Sequence, residues 1–238
     1  MEQDQKKIIL YIDWASQPSR SVVAFCKINK IPHELKIIRV GKGQHLTEDY
    51  QKISPFVQVP TLQEINEKTG ETFTLYESHT ILRYLAMTRN CGDHWYPKDV
   101  MKHTQINEYL EWHHNNIRQS MSYTIYYTLF YPMIFKKQMN KAIIQELRER
   151  MKDDLDFIEK QLIDKQYICG QEITIADIIL ASELIQSKFI NLDLSKYINI
   201  QGYIQRLIFE IPEMHDVHKP MLQLAKQSLK KNSEKAKL

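Results

Sequence analysis

Ser16 is placed where its hydroxyl can act on an anion. A β-branched run ends at Ile12, and Pro18 opens a segment of helical period just after Ser16. Proline in the first turn of a helix costs no hydrogen bond, because that N–H has no intrahelical partner. The hydroxyl therefore lies at the positive end of a helix dipole, which suits an anion, including a thiolate supplied by a ligand. The alternative is that Ser16 only caps this helix.

Glu77 and Ser78 form a second candidate position for an anion. They follow a run that ends at Tyr76 and precede a segment whose apolar residues recur at helical spacing. Ser78 is therefore predicted as the N-cap of that helix. Backbone donors of the first turn and the hydroxyl would hold a carboxylate, and Glu77 would bind an ammonium group. The alternative is again capping alone.

Val59-Pro60, before the predicted hairpin, is suited to recognition through the backbone. Cis peptides occur mainly before proline, although most such bonds are trans. A cis bond here would turn the N–H and C=O of Val59 outward, where they can pair with an extended peptide ligand.

Thr174 and Asp177 are assigned to folding rather than to chemistry. Thr-x-x-Asp before an apolar helical segment is a capping box with Asp in the place of the usual Glu. The hydroxyl satisfies a backbone N–H that the helix leaves without a partner.

The histidines do not have the spacing of metal ligands. His113 and His114 are adjacent and point to different faces of a helix, and no cysteine accompanies His215 and His218. We therefore expect no metal.

Strands and helices alternate in the first part of the chain. Apolar residues in alternation predict strands, and apolar residues three and four apart predict helices. A Gly-containing loop between two alternating runs predicts a hairpin. The predicted strands are residues 8–12, 34–40, 61–65 and 72–76, the predicted helices are 18–29 and 77–87, and residues 43–54 are predicted to be irregular.

Only helical patterns follow in the rest of the chain. Residues 89–100 contain Asn, Gly, Asp and Pro and predict a linker. The expected domains are residues 7–88 and 101–225, followed by a Lys-rich tail of residues 226–238. The predicted helices are residues 101–131, 140–163, 175–188, 200–209 and 219–231.

Composition narrows the function classes. An apolar content of 43% with 26% charged residues is that of an ordinary globular protein. The net charge of +3 is small and dispersed, so we expect no nucleic-acid partner. The longest apolar stretch is too short for a bilayer, and we expect no membrane partner. Three scattered cysteines fit a reducing compartment, and a polar N-terminus argues against a signal peptide, so the expected location is cytoplasmic.

Four short runs occur in an order that resembles one family. They are Ser16-Gln-Pro-Ser-Arg20, Gly43-Gln-His-Leu46, Trp95-Tyr-Pro97 and Glu108-Tyr-Leu-Glu-Trp112. With Val-Pro, Glu-Ser and the capping box, they resemble the cytosolic glutathione transferases, and within them the theta class. The resemblance implies the glutathione transferase fold, which is an α/β thioredoxin-like N-terminal domain plus an all-α C-terminal domain. It also implies a homodimer with one active site per chain.

The resemblance assigns glutathione contacts to the first domain. Ser16 would hydrogen-bond the glutathione sulfur, and His45 would contact the glycyl carboxylate. The backbone of Val59-Pro60, with a cis bond, would pair with the cysteinyl moiety. Glu77 and Ser78 would bind the γ-glutamyl end.

Two parts of the family pattern match incompletely. Gln58 stands where theta-like enzymes commonly have a Lys that contacts the glycyl end. In the first long helix of the second domain, the family pattern offers an Asp and an Arg three residues apart, and this chain has Asn115 and Arg118. In one continuous helix these two share a face, which Ser122 extends toward the substrate.

The implied reaction is attack by the glutathione thiolate on a small electrophile. Glutathione is then a co-substrate, and no cofactor is needed. The electrophile would lie against the helical domain and an aromatic surface of Trp14, Tyr123, Tyr126, Tyr127 and Phe130. The alternative for most of these rings is a place in the core. The first alternative is a non-catalytic module that uses this fold for dimerisation or interaction. The second is a redox role through mixed disulfides.

The last three residues suggest a second location. Ala236-Lys237-Leu238 differs from the peroxisomal signal Ser-Lys-Leu only by Ser→Ala. Import into peroxisomes is thus an expectation beside the cytoplasm, and the alternative is a chance tripeptide in a Lys-rich tail.

Overall fold

The computed structural model describes residues 6–235, and side chains as far as residue 229. The chain divides into two compact units between Asp93 and His94. This division lies within the residues whose composition predicts a linker. The tripeptide Ala236-Lys237-Leu238 lies outside the described residues.

The N-terminal unit is a mixed four-stranded sheet with three helices, as the thioredoxin-like expectation requires. The strand order is β2-β1-β3-β4, with β1 parallel to β2 and antiparallel to β3, and β3 antiparallel to β4. The strands are β1 (Lys6–Ile12), β2 (Glu34–Ile37), β3 (Thr61–Asn66) and β4 (Thr72–Leu75), and the helices are α1 (Gln17–Ile28), α2 (Glu48–Ile53) and α3 (Ser78–Thr88).

The core of this unit follows from its apolar runs. Leu10 and Ile12 of β1 are fully buried, as are Val22 and Phe25 of α1 and Leu82 of α3. Helix α1 packs against both β1 and α3. The strand and helix periods therefore bury one common set of side chains.

One end of the sheet gathers four chain segments. Strands β1 and β2 are parallel, so both end there, with Ile12 opposite Ile37. Strand β3 runs the other way and begins there, with Thr61 opposite Tyr11. Strand β4 ends at the same side, where Leu75 pairs with β3. The chain after β1, after β2, before β3 and after β4 therefore meets at this end.

The second unit is helical throughout its regular structure. Helix α8 is its centre, since all ten of its residues are buried. Its helices are α4 (Val100–Asn115), α5 (Ile117–Ile125), α6 (Tyr131–Phe135), α7 (Lys141–Gln161), α8 (Ile175–Leu184), α9 (Ile198–Ile204) and α10 (Pro212–Lys235), and π turns occupy Tyr126–Phe130 and Gln205–Phe209.

The predicted single helix over residues 101–131 is wrong. It is interrupted at Asn116, which has φ −120° and ψ −99°, and again by the π turn that follows α5. The Asn116 side chain donates to the Trp112 carbonyl, a local hydrogen bond by which asparagine competes with the helical backbone. Buried Leu110 and Ile117 continue the apolar stripe across the break, so periodicity did not reveal it.

Two other element predictions are corrected. Residues 43–54 are not irregular throughout, because Thr47 caps the short helix α2 by accepting the Tyr50 N–H at 3.4 Å. Helix α10 begins at Pro212, seven residues before the predicted start, and continues through Pro220.

The described residues contain no helix that is long and apolar enough to cross a membrane. Within the same part of the chain, no three His, Cys, Asp or Glu side chains are grouped so that they can hold a metal ion.

Candidate functional site

Ser16 is the N-cap of α1, as its position between strand and helix predicts. Its φ of −76° and ψ of 120° are extended, and its Oγ accepts the Ser19 N–H at 3.4 Å. Its own N–H donates to the Asp13 carbonyl at 3.0 Å. Within the described residues the hydroxyl proton has no acceptor, so the half-buried group can donate to a ligand.

Two charged side chains hold the loop before Ser16. Arg20 is fully buried, and its Nη1 donates to the carbonyls of Trp14 at 2.9 Å and of Ala15 at 3.1 Å. Asp13 accepts the Ala15 N–H on Oδ1 at 2.9 Å. Sequence reasoning missed both roles, because neither the burial of Arg20 nor the partners of Asp13 have a sequence signature.

His45 lies on a short 3-10 turn, Gln44–Leu46, in the segment after β2. Gly43 precedes it with φ 74°, a left-handed conformation that glycine adopts without steric cost. The imidazole Nδ1 is buried and has no hydrogen-bond partner among the described residues. Buried nitrogen atoms are nearly always satisfied, so this nitrogen still lacks the hydrogen bond that such an atom ordinarily makes.

The Val59-Pro60 peptide bond is cis, as the resemblance implies. The preceding carbonyl, that of Gln58, accepts the Tyr50 hydroxyl at 2.7 Å and the Thr61 hydroxyl at 3.2 Å. These bonds hold the backbone at Gln58 to helix α2 and to the start of strand β3. The Gln58 side chain is exposed, and the backbone N–H and C=O of Val59 are unpaired within the described residues.

The prediction that Ser78 is an N-cap is wrong. Glu77 occupies the cap position with φ 64° and ψ 114°, and its side chain makes no capping bond. Its carbonyl accepts the Ile81 N–H at 2.8 Å, so Ser78 is the first residue of α3. The first N–H groups of a helix lack intrahelical partners, and Ser78 is now among the residues of this first turn. The start of α3 therefore still offers donors to a carboxylate.

Asn115 and Arg118 do not share a helical face. Asn115 ends α4 and Arg118 belongs to α5, with the break at Asn116 between them. The exposed Asn115 side chain donates to the Glu111 carbonyl at 3.0 Å. The prediction that the two residues share one face of a continuous helix is therefore wrong.

Arg118 instead forms a network with buried polar groups of the helical unit. Its Nη1 lies 3.3 Å from Oε2 of Glu183, which is fully buried on α8, and 3.0 Å from the Ser122 Oγ. Ser122 and Gln186 both donate to the other Glu183 oxygen, at 2.7 and 2.8 Å. The predicted face of Arg118 and Ser122 is thus joined to α8.

Aromatic rings line the segment that follows Arg118. Tyr123 is half exposed, and its ring centroid lies 6.0 Å from that of Tyr127. The ring centroid of Tyr131 lies 6.0 Å from that of Tyr127 and 4.8 Å from that of Phe135. These rings form an accessible aromatic surface of the helical unit.

The capping box is confirmed, with more bonds than the motif requires. Asp177 Oδ2 accepts the N–H and the hydroxyl of Thr174 at 2.7 and 2.9 Å, and Oδ1 accepts the Ile168 N–H and the Tyr203 hydroxyl. Burial raises the pKa of Asp177 above its usual value, and these donors oppose that rise. The box therefore joins three segments of the helical unit.

The comparisons with known proteins agree on one family. The family model described as Glutathione S-transferase, N-terminal domain, matches residues 15–88, and that of the C-terminal domain matches residues 123–210. Glutathione S-transferase theta-2 of Rattus norvegicus is 38% identical over 178 residues, which cover 74% of this chain and 70% of the relative.

Two solved human structures are similar over nearly the whole chain. Glutathione transferase theta-2, in complex with glutathione and an unknown ligand, has a TM-score of 0.83 at 30% identity and covers 94% of this chain and 91% of its own. A theta-class transferase with the glutathione conjugate of 1-menaphthyl sulfate has a TM-score of 0.85 at 29% identity, with coverages of 95% and 91%. The fold, the order of the motifs and these similarities together show that the chain belongs to the glutathione S-transferase family, as a theta-like glutathione transferase.

Proposed function

We propose that this transferase activates glutathione by a hydrogen bond from the Ser16 hydroxyl to the sulfur. The observation that carries this proposal is the geometry of Ser16, whose oxygen is used by the helix while its proton stays available. A thiol with a pKa of about 8.5 is only a few per cent thiolate at neutral pH. A hydroxyl donor and the helix dipole both favour the charged form.

The energy required is within reach of such a site. Lowering the thiol pKa by two units corresponds to about 2.7 kcal/mol. One charge-assisted hydrogen bond supplies roughly 1.5–3 kcal/mol, and the helix dipole adds to it. Ser16 is thus a donor and not a nucleophile.

Glutathione would lie across the end of the sheet where the four segments meet. His45 offers its partly exposed imidazole to the glycyl carboxylate, and Val59 offers the backbone beside its cis bond to the cysteinyl residue. Glu77 and Ser78 receive the γ-glutamyl ammonium and carboxylate. Gln58 contributes only an exposed amide, so the glycyl end has one cationic contact fewer than is usual in the family.

We further propose that the protein conjugates small electrophiles for detoxification and forms a homodimer in the cytoplasm. The aromatic surface of Tyr123, Tyr127 and Tyr131 is proposed to bind the electrophile. In the human theta-class complex the bound conjugate derives from 1-menaphthyl sulfate, which is aromatic. Asn115 and Arg118 are proposed as further glutathione contacts.

The redox alternative is not supported by the thiols. Cys26 is fully buried, and burial raises the pKa of its thiol far above the usual value. Burial also raises the pKa of the Cys169 thiol, to about 12. Neither is a thiolate at neutral pH, so neither is activated for disulfide exchange.

The test replaces Ser16 by alanine in the purified protein. Ser16→Ala should lower turnover by roughly 10- to 1000-fold and keep glutathione binding, because the hydroxyl acts mainly on the thiolate. The ultraviolet thiolate absorbance of bound glutathione should fall in parallel at neutral pH. Asn140→Ala is the matched control, since it also removes an N-cap oxygen, on α7.

The outcomes are distinct. Unchanged turnover in Ser16→Ala would remove the hydroxyl from the mechanism. No thermal stabilisation of the wild type by millimolar glutathione would instead favour the non-catalytic interaction module.

A further inference from the structure

The Asp13 carboxylate bridges two chain segments that are far apart in sequence. Oδ1 accepts the N–H of Ala15 at 2.9 Å, and Oδ2 accepts the N–H of Val40 at 2.8 Å. Val40 is 27 positions away, in the segment that follows β2. Each oxygen thus serves a different part of the end of the sheet.

The first segment holds the proposed thiol-activating serine. Ala15 immediately precedes Ser16, and its carbonyl is held by Arg20 at 3.1 Å. With its N–H on Asp13, the peptide groups on both sides of Ala15 are fixed. The Asp13 side chain therefore helps to hold the backbone from which the Ser16 hydroxyl projects.

The second segment holds the proposed contact to the glycyl carboxylate. Val40 begins a 3-10 turn, and its carbonyl accepts the Gly43 N–H at 2.9 Å. The next turn contains His45, and the Gln44 side chain closes back onto the Arg39 N–H at 2.8 Å. Because these hydrogen bonds join Val40 to the turn that contains His45, a displacement of Val40 would also displace His45.

We propose that Asp13 is a positioning residue that sets both the thiol-activating hydroxyl and the glycyl-carboxylate contact, without touching glutathione. The inference rests on the proposed function of Ser16 and His45. A carboxylate is required because it accepts on both oxygens, whereas an amide accepts on one and presents N–H on the other. Charge-assisted bonds are also the stronger ones.

Three variants separate the two bonds. Asp13→Asn keeps the shape and loses at least one of them. Val40→Pro removes only the Val40 N–H, and proline is tolerated at the first position of a helical turn after the extended Arg39. Asp99→Asn is the matched control, because Asp99 accepts one backbone N–H at 2.9 Å as the N-cap of α4.

The measurements are the KM for glutathione and the pKa of the bound thiol, from its thiolate absorbance against pH. Asp13→Asn should raise both and lower kcat/KM by about 10- to 100-fold, the scale of an ångström-sized misplacement. Val40→Pro should raise the KM alone, Ser16→Ala the thiol pKa alone and His45→Ala the KM alone. Asp99→Asn should change neither quantity. Hydrogen exchange of the ligand-free protein should show faster Ala15 or Val40 amides in Asp13→Asn.

Asp13→Asn with wild-type KM and thiol pKa, measured below its melting temperature, would overturn the inference, even if its stability falls. If Asp13→Asn does not fold, a Val40→Pro variant with unchanged KM has the same effect. Failure of the proposed function has another signature, namely a wild type without bound thiolate. That result would overturn the inference too, although hydrogen exchange would still show whether Asp13 protects the Ala15 and Val40 amides.

Discussion

Two serines at the sheet end stand at helix starts but serve different helix positions. Ser16 is an N-cap, so its oxygen receives a helix N–H and only its proton remains for a ligand. Ser78 is the first helical residue, so its hydroxyl is not the N-cap acceptor of α3. One serine is thus suited to donate to a sulfur, and the other lies among backbone donors that suit a carboxylate.

Glu77 is expected to act on glutathione affinity alone. Glu77→Gln removes the charge proposed to bind the ammonium group, which is remote from the sulfur. The KM for glutathione should rise roughly 10- to 100-fold with kcat unchanged, since one charge-assisted bond is worth about 1.5–3 kcal/mol. Steady-state kinetics check this. Glu71→Gln, an exposed glutamate of the preceding hairpin, is the control. A fall in kcat at constant KM would contradict the assignment.

Residue roles were predictable from sequence where they depend on near neighbours. Ser16 follows from a strand, a hydroxyl and a proline within a few positions. Asp13 and Arg20 do not, because the Asp13 bond to Val40 crosses 27 positions and arginine is ordinarily exposed. The positive φ of Glu77 was also missed, since glutamate gives no sequence signal for such a conformation.

At the scale of elements, helices α5 and α8 are joined by a buried charge. Arg118→Met should lower the free energy of unfolding by about 3–5 kcal/mol, because it leaves the Glu183 carboxylate buried without its cation. Arg118→Met/Glu183→Gln should recover most of the loss, as denaturant titration would show.

The same pair of variants tests whether Arg118 also contacts glutathione. If the double variant regains stability but keeps a raised KM, Arg118 binds glutathione as well. A wild-type KM in the stable double variant would limit Arg118 to a structural role.

Glu64 of β3 joins the sheet to α3 and gives the N-terminal unit a pH-dependent stability. Burial alone would raise its pKa, but hydrogen bonds from Lys6, Arg89 and Tyr84 outweigh burial and hold the pKa below the ordinary value of 4.5. The stabilisation is therefore complete above pH 4.5 and is lost as the pH falls through the lower folded pKa.

Glu64→Gln should accordingly be about 3 kcal/mol less stable at neutral pH, the low end for breaking a buried pair. The difference from wild type should shrink below pH 4.5 in urea titrations at several pH values. Glu34→Gln is the control, because Glu34 pairs with Lys7 at the exposed edge of the same sheet. A Glu64→Gln deficit that does not change with pH would contradict this account.

Whole helices and strands were predictable where the spacing of apolar residues continues without interruption. Strand β1 and helices α1 and α7 follow from their apolar spacing. Helix α2 was missed because six mostly polar residues carry no period, and the break at Asn116 was hidden by an unbroken apolar stripe.

At the scale of the whole molecule, the prediction is a homodimer. Sedimentation equilibrium should give twice the chain mass of 28.4 kDa. Because obligate dimers couple stability to protomer concentration, the melting temperature should rise with concentration. A monomer mass with a concentration-independent melting temperature would exclude the dimer. The two units were predictable because the pattern changes from alternating strands and helices to helices alone, and the fold class was implied by the family resemblance.

The π turn at Tyr126–Phe130 has a consequence for how this surface can change in evolution. Such a turn holds one residue more than an α-helical turn, so it can absorb a one-residue insertion or deletion without breaking the helix. Deleting one residue there would convert the π turn into an α-helical turn and leave the following residues in place, whereas the same deletion in an α-helix would rotate everything that follows by about 100°. The half-exposed Met133, Ile134 and Phe135 would then keep their side of the helix. The chain can thus gain or lose one codon at this turn while the apolar side chains beyond it keep their positions.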